Sequence, residues 1–229
     1  MIQRNHPYSG LWISFESGEG AGKGTQKRLL AKYLEDRNFF VKLGREPGTT
    51  LFGEETRRIL QDPFFPELNP RTEMLLYIAT GIEFYEKEVK PVLEKGGIFI
   101  ADRWRDSTRA YQGYGLGIDL KMIDNLTSFS CSGASPDLTF LLNIDARIGL
   151  SKISGYEFGD IKEDKIESRE LEFHQRANEG YLALAKREPN RFRVIDYQEG
   201  KPEEMHTAIR IEVDEFIKKQ SLESFLKRA

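Results

Sequence analysis

Residues 16–26 read Glu-Ser-Gly-Glu-Gly-Ala-Gly-Lys-Gly-Thr-Gln, with a short apolar run at 11–15 before them and a helical pattern directly after. No other stretch limits the fold so strongly. Glycines at alternate positions let the backbone turn sharply, so several N–H groups converge on one point. The N-terminus of the following helix adds its partial positive charge, and Lys23 reaches out from the first turn. Such a cradle suits an anion with several oxygens, a phosphate above all. The spacing departs from G-x-x-x-x-G-K-S/T at both ends. Ser17 stands for the first glycine and Gly24 for the hydroxyl residue, and Thr25 restores a hydroxyl one place later. Strand, glycine turn, Gly-Lys pair and helix nonetheless occur in the order that phosphate binding requires. The candidate phosphate-binding residues are Ser17, Gly18, Glu19, Gly20, Ala21, Gly22, Lys23, Gly24 and Thr25.

A strand that feeds such a turn must pair with other strands, and the rest of the chain supplies them. Short apolar runs at 11–15, 39–43, 98–102, 138–144 and 192–196 alternate with helical patterns at 25–36, 53–61, 71–94, 119–129, 146–153, 168–187 and 202–219. That alternation predicts an α/β fold, a five-stranded parallel sheet with helices on both faces. In the long helix Leu75, Ile78, Ala79, Ile82, Tyr85 and Val89 make one apolar face, which stops near Pro91 and the Gly96-Gly97 pair. In the last helix Met205, Ile209, Val213 and Phe216 do the same, with Pro202 suited to the first turn. With 229 residues and no repeat, low-complexity tract or linker, the chain reads as one domain, 1–229.

Composition narrows the function classes. The apolar set reaches 39% with short runs only, which excludes general disorder and a membrane-spanning helix. Charged residues make up 31%, yet 34 basic against 37 acidic residues leave a net charge of −3. A nucleic-acid coat would show a basic excess, so nucleic acid and membrane are not expected partners. A small anion held by a few placed cations fits better. Cys131 is a single cysteine and cannot form an internal disulfide, and the first nine residues hold no apolar core of a secretion signal. The chain reads as cytoplasmic. His6, His174 and His206 lack the spacing of metal ligands.

The third strand ends in Asp102, followed by Arg103. A carboxylate at the C-terminal end of a central parallel strand faces the ligand crevice, where it can organise a hydrated Mg²⁺ ion. An arginine beside it can grip a phosphate through two parallel hydrogen bonds. The stretch runs on as Asp102-Arg103-Trp104-Arg105-Asp106-Ser107-Thr108-Arg109-Ala110-Tyr111-Gln112-Gly113. This resembles the D-R-Y-x-x-S-x-x-A-Y-Q-G signature of thymidylate kinases, P-loop nucleoside monophosphate kinases that phosphorylate dTMP with ATP. Arg45-Glu46-Pro47-Gly48-Thr49-Thr50, with Gly53-Glu54 and Arg57, is similar to the family's R-E-P-G-G-T-x-x-G-E-x-x-R. Asp164-Lys165-Ile166-Glu167, continuing to Phe173-His174, Gly180-Tyr181-Leu182 and Ala185, is similar to its D-R-I-E, F-H, G-Y-L and A.

The resemblance implies a P-loop kinase fold with a lid, ATP as phosphoryl donor, Mg²⁺ held by Thr25 and Asp102, dTMP as acceptor, and a homodimer. Lys23, Arg103 and Lys165 take the catalytic positions. Glu19 matches the residue that faces the sugar 3′-hydroxyl; Arg57 and Arg103 match those that hold the monophosphate. Glu46 and Pro47 line the acceptor site, Tyr111 packs beneath the deoxyribose, Tyr77 stacks on the base, and Ser107, Thr108 and Gln112 lie around it. The family's L-L-F-x-A-x-R reads Leu75-Leu76-Tyr77-Ile78-Ala79-Thr80-Gly81 here, so its base-binding arginine is replaced by Gly81, with Arg105 and Arg109 as substitutes. A kinase for another deoxynucleoside monophosphate, or a nucleotide-binding regulator without turnover, are the alternatives.

Phosphoryl transfer needs a cation at the moving group. The glycine loop carries no arginine, and none lies between Arg147 and Arg169, which leaves Lys152, Lys162 and Lys165. Residues 145–176 hold 14 charged side chains among 32, with Gly155 and Gly159 inside the loop between two helices. Composition alone suits a solvated surface; the D-K-I-E match makes residues 151–167 a closing lid.

Overall fold

A computed structural model of the chain describes residues 5–65, 67–153, 165–167, 169–222 and 226. Five parallel strands form one sheet in the order β2-β3-β1-β4-β5. They are β1 (Leu11–Glu16), β2 (Val41–Arg45), β3 (Ile98–Asp102), β4 (Leu138–Asn143) and β5 (Phe192–Asp196). The expected fold class is thus observed. Every residue of β1 is buried, as a central strand flanked on both sides and covered on both faces must be. Leu11, Ile13 and Phe15 pack on one face with Leu30 and Leu34 of α1 (Lys23–Glu35) and with Ile209 and Val213 of α9 (Pro202–Lys219). Trp12 packs on the other, with Phe84, Val89, Phe99 and Trp104.

Register decides where function can sit. Phe15 lies opposite Asp102 on β3, and Arg45 of β2 lies opposite the same Asp102. The C-terminal ends of three strands therefore meet at one edge, where the order of connections reverses, and such edges form ligand crevices. No helix among the described residues is long and apolar enough to cross a membrane.

Several boundaries differ from the sequence reading. The second strand is expected at 39–43 and observed two residues later, because the apolar signal of Phe39-Phe40-Val41 marks the strand's approach. Phe39 is fully buried in the core, while the paired residues include Lys42, Gly44 and Arg45. The helix expected over 71–94 comprises α3 (Pro70–Phe84), a π-helical turn (Tyr85–Val89) and α4 (Lys90–Glu94). Pro91 has no N–H to give to a carbonyl one turn back, and a widened turn before it accommodates that loss. Residues 105–115, outside the strands and helices expected from the sequence, are helical: α5 (Arg105–Thr108) leads into a second π-helical stretch (Arg109–Gly115).

The remaining helices are α2 (Leu51–Gln61), α6 (Leu120–Ser130), α7 (Ala146–Ile153) and α8 (Leu171–Arg187). Side-chain caps start three of them: the Thr50 hydroxyl accepts from Gly53 N (3.0 Å), the Asp119 carboxylate from Met122 N (2.9 Å) and the Asp145 carboxylate from Arg147 N (2.8 Å).

Candidate active site

The glycine turn leaves β1 at Glu16 and enters α1 at Lys23, with Gly20 at φ +68° and Gly22 at φ +82°. Both angles lie in the left-handed region that glycine enters at little cost. Close approach adds a second constraint. A Cβ on Gly20 would collide with the backbone carbonyl of Gly149 in α7, and one on Gly149 would collide with the carbonyl of Glu19. Two glycines from distant parts of the chain thus pack backbone against backbone and lock the loop to the base of the proposed lid. Nothing in the local sequence marks Gly149 for this role.

Lys23 donates to the Ser17 hydroxyl at 2.7 Å. Burial, and then the neighbouring Arg103 charge, pull its ammonium down to about 8, against the opposing pull of Glu19, Asp102 and Glu16. Ser17, which replaces the usual first glycine, therefore acts as a tether for the lysine. Asp102 accepts from Lys27 at 2.7 Å. Burial would raise its carboxyl, but the Lys23 and Lys27 charges outweigh this and lower it.

Arg103 lies at the centre of the site. Its backbone is left-handed, φ +69°, an uncommon state for a non-glycine residue. Its own N–H is fixed by the Phe15 carbonyl at 3.0 Å. The turn sends the guanidinium back over the glycine loop, where Nη1 donates to the Ser17 carbonyl (2.9 Å) and Nη2 to Glu19 Oε1 (2.8 Å). The Tyr111 hydroxyl donates to the same Glu19 oxygen at 2.5 Å, and Arg103 lies over the Tyr111 ring. Burial pushes the Glu19 carboxyl up, but Arg103, Lys23 and the Tyr111 hydroxyl prevail and hold it at about 2.

Beneath this group, the buried Glu16 accepts from Trp104 N (2.7 Å), the Ser107 hydroxyl (2.6 Å) and the Tyr181 hydroxyl (3.3 Å). Burial first and Asp106 second push its carboxyl up to about 8. Sequence reasoning gave Glu16 and Tyr181 no role, although the Gly180-Tyr181-Leu182 match was the available signal. Helical spacing explains the signature itself, because Ser107 and Tyr111, and likewise Thr108 and Gln112, are four residues apart and project from one side.

One cleft of about 340 Å³, within the usual range for small-molecule sites, gathers most of the candidate residues. Glu19, Gly20, Ala21, Gly22, Lys23 and Gly24 line one end; Glu46, Pro47, Arg57 and Tyr77 line the other; Asp102, Arg103, Ser107, Thr108, Tyr111 and Gln112 lie along it. Ser17, Gly18 and Thr25 are not among the lining residues, nor is Lys165. The Glu46 carboxylate accepts from the Thr80 hydroxyl at 2.6 Å, and burial pushes it up to about 7 against Arg57 and Arg103.

The segment expected as a lid, 151–167, is described at its two ends only, and Lys162 lies outside the described residues. At one end Lys152 pairs with Glu199 at 2.8 Å. At the other, Ile166 and Glu167 line the cleft, Lys165 N donates to the Gln61 carbonyl (3.0 Å), and Lys165 Nζ lies 3.4 Å from the Phe65 carbonyl. Arg169 pairs with the buried Glu73 (2.6 Å), which also accepts from Gln112 (3.0 Å). Of the arginines weighed as substitutes at Gly81, Arg109 is engaged by Asp106 (2.9 Å) and Asp124 (2.6 Å). His6 pairs with Asp137, and no cluster of three or more His, Cys, Asp or Glu among the described residues suits a metal.

The family model described as thymidylate kinase matches residues 15–209. The chain belongs to the thymidylate kinase family. It is 43% identical over 195 residues to the thymidylate kinase of Roseiflexus castenholzii (strain DSM 13941 / HLO8), covering 81% of this chain and 85% of the relative. It is 41% identical over 201 residues to that of Carboxydothermus hydrogenoformans (strain ATCC BAA-161 / DSM 6008 / Z-2901), covering 88% and 95%. The crystal structure of thymidylate kinase from Ehrlichia chaffeensis is similar at a TM-score of 0.72 and 33% identity, covering 90% of this chain and 98% of that one.

Proposed function

We propose that this chain transfers the γ-phosphoryl group of ATP to dTMP, giving ADP and dTDP. Family membership supports the reaction class, and the cleft supports it physically. The observation that carries the reading is Arg103, which joins the glycine loop to the acceptor residues through Glu19 and Tyr111. An oxygen of the acceptor monophosphate attacks the γ-phosphorus as the bond to the β,γ-bridging oxygen breaks. Little covalent work falls to the protein, so positioning and charge neutralisation dominate.

In this reading the glycine loop cradles the donor phosphates and Lys23 neutralises the β- and γ-oxygens. Arg103 and Arg57 orient the acceptor phosphate, and Glu19, held ionised, accepts the sugar hydroxyl. Tyr111 supports the deoxyribose, Tyr77 stacks on the base, and Lys165 serves as the lid cation. The donor set fits Mg²⁺: the ionised Asp102 carboxylate and the exposed Thr25 hydroxyl are hard oxygen groups, and with no carboxylate cage among the described residues, phosphate oxygens and water would complete the shell. When bound, that ion would offset negative charge on the phosphates.

The whole chain acts as one nucleoside monophosphate kinase domain, which the single sheet drawing strands from residues 11 to 196 supports, and its cytoplasmic setting rests on the single cysteine and the composition. A homodimer is supported by the apolar side chains left exposed on α2, α3 and α6, including Phe52, Leu75, Met122 and Phe129. The deciding experiment is a coupled ADP-release assay with dTMP, dUMP, dGMP, dCMP and dAMP, with the product identified by chromatography. Preference for dTMP and formation of dTDP are expected; preference for a different base overturns the substrate assignment.

A further inference from the structure

Beside the acceptor end of the cleft lies a second, much smaller cavity of about 10 Å³, room for roughly one water-sized group. Glu46, Tyr77 and Thr108 line both spaces, so the two are neighbours. Gly81, Trp104, Arg105 and Ser130 are among the other residues of the small cavity's wall. Gly81 contributes no side chain, and the Trp104 indole lies within ordinary contact of the place where one would begin.

Arg105 is the anomaly here. Its Nε is buried and has no hydrogen-bond partner among the described residues. Its Nη1 lies 3.8 Å from the Cys131 sulfur, a weak acceptor. No ion pair joins it to a described carboxylate. The adjacent Asp106 is fully engaged by Arg191, at 2.7 Å on each oxygen, and by Arg109. A buried N–H without an acceptor is costly to retain, whereas an acceptor supplied by a ligand removes most of that cost. The cavity is too small for a phosphate and is already bordered by the Glu46 carboxylate. A ring carbonyl oxygen is a neutral acceptor small enough to fit.

We propose that Arg105 is the specificity-determining residue of the acceptor site, reading the ring carbonyl of the base through this water-sized cavity. The inference rests on the dTMP kinase reading. Arg105 then discriminates a base with a carbonyl at this edge from one with an amino group, because a donor facing another donor leaves both unpaired.

The test is steady-state kinetics of the full chain and of Arg105→Met and Arg105→Gln, at saturating ATP, with dTMP and with 5-methyl-dCMP, which carries an amino group in place of one carbonyl. For Arg105→Met the KM for dTMP is expected to rise about 10- to 100-fold with kcat changed less than about threefold. The preference for dTMP over 5-methyl-dCMP should collapse by a similar factor, while the KM for ATP stays fixed. A merely structural role would reduce both acceptors alike and leave the preference intact, which overturns the proposal. Should Arg105→Met fail to fold by thermal melting, Arg105→Gln decides: its amide can pair with a carbonyl or with an amino group, and an unchanged preference is again fatal. Failure of the wild-type chain to phosphorylate dTMP defeats the functional reading and this inference with it. Wild-type activity with preference unaltered in the variants defeats this inference alone.

Discussion

The glycine loop and the segment proposed as a lid both carry lysines assigned to phosphate chemistry, but they hold them in opposite ways. Lys23 is tethered by Ser17 at 2.7 Å, on a loop that packs backbone to backbone against Gly149. Lys165, by contrast, lies near the Phe65 carbonyl and outside the lining of the cleft, and Lys152 is drawn to Glu199. One region places its cation before any ligand arrives. The other is flanked by ion pairs, Lys152 with Glu199 on one side in sequence and Arg169 with Glu73 of α3 on the other. The difference shows that a charge-rich segment spends part of its charge on anchoring rather than on substrate.

The contrast can be broken most severely at Lys23. Lys23→Ala is expected to lower kcat by about 10³-fold, since a preplaced donor to developing charge is lost. Calorimetric dTMP affinity should stay within a few-fold of wild type, and a matching loss of dTMP binding would show that the lysine serves the acceptor instead. Lys165→Ala should cost less, about tenfold in kcat, well below the ~10³ to 10⁵ attributed to a well-placed arginine at a transferring phosphoryl group. A variant with unchanged single-turnover rate would remove Lys165 from the transferring group.

The smallest effect comes from proton concentration. With the Lys23 ammonium drawn down to about 8, its active charged form is lost as pH rises, so kcat/KM for ATP should fall about twofold at pH 8 relative to pH 7. At saturating ATP the same limb should move to higher pH, because bound phosphates favour the ammonium. A profile flat to pH 10 under both conditions would contradict the desolvated environment of Lys23.

Much of this was legible along the chain, for local reasons. Strand runs and helical periodicity follow from what must be buried, and the glycine turn follows from what a phosphate must approach. The second strand was displaced because its apolar approach, Phe39 and Phe40, lies outside the paired residues, while Lys42 and Arg45 lie within them. Glu16 and Tyr181 gained their roles from packing across 165 residues of chain, which no local pattern encodes. Arg105 was readable as a charged residue but not as one without a carboxylate partner, because that depends on Arg191 and Arg109 having claimed Asp106.

The sequence by itself determined the α/β class, the phosphate-binding turn and the residues eligible for the acceptor site, since each rests on spacing within a few turns of chain. Tertiary structure alone decided which of those groups meet. Parallel register put Phe15, Arg45 and Asp102 at one edge. The left-handed turn at Arg103 brought its guanidinium onto Glu19, and competition among buried charges left Arg105 facing a cavity rather than a carboxylate. Pairings of this kind depend on distances between remote segments, and a linear pattern carries no distances.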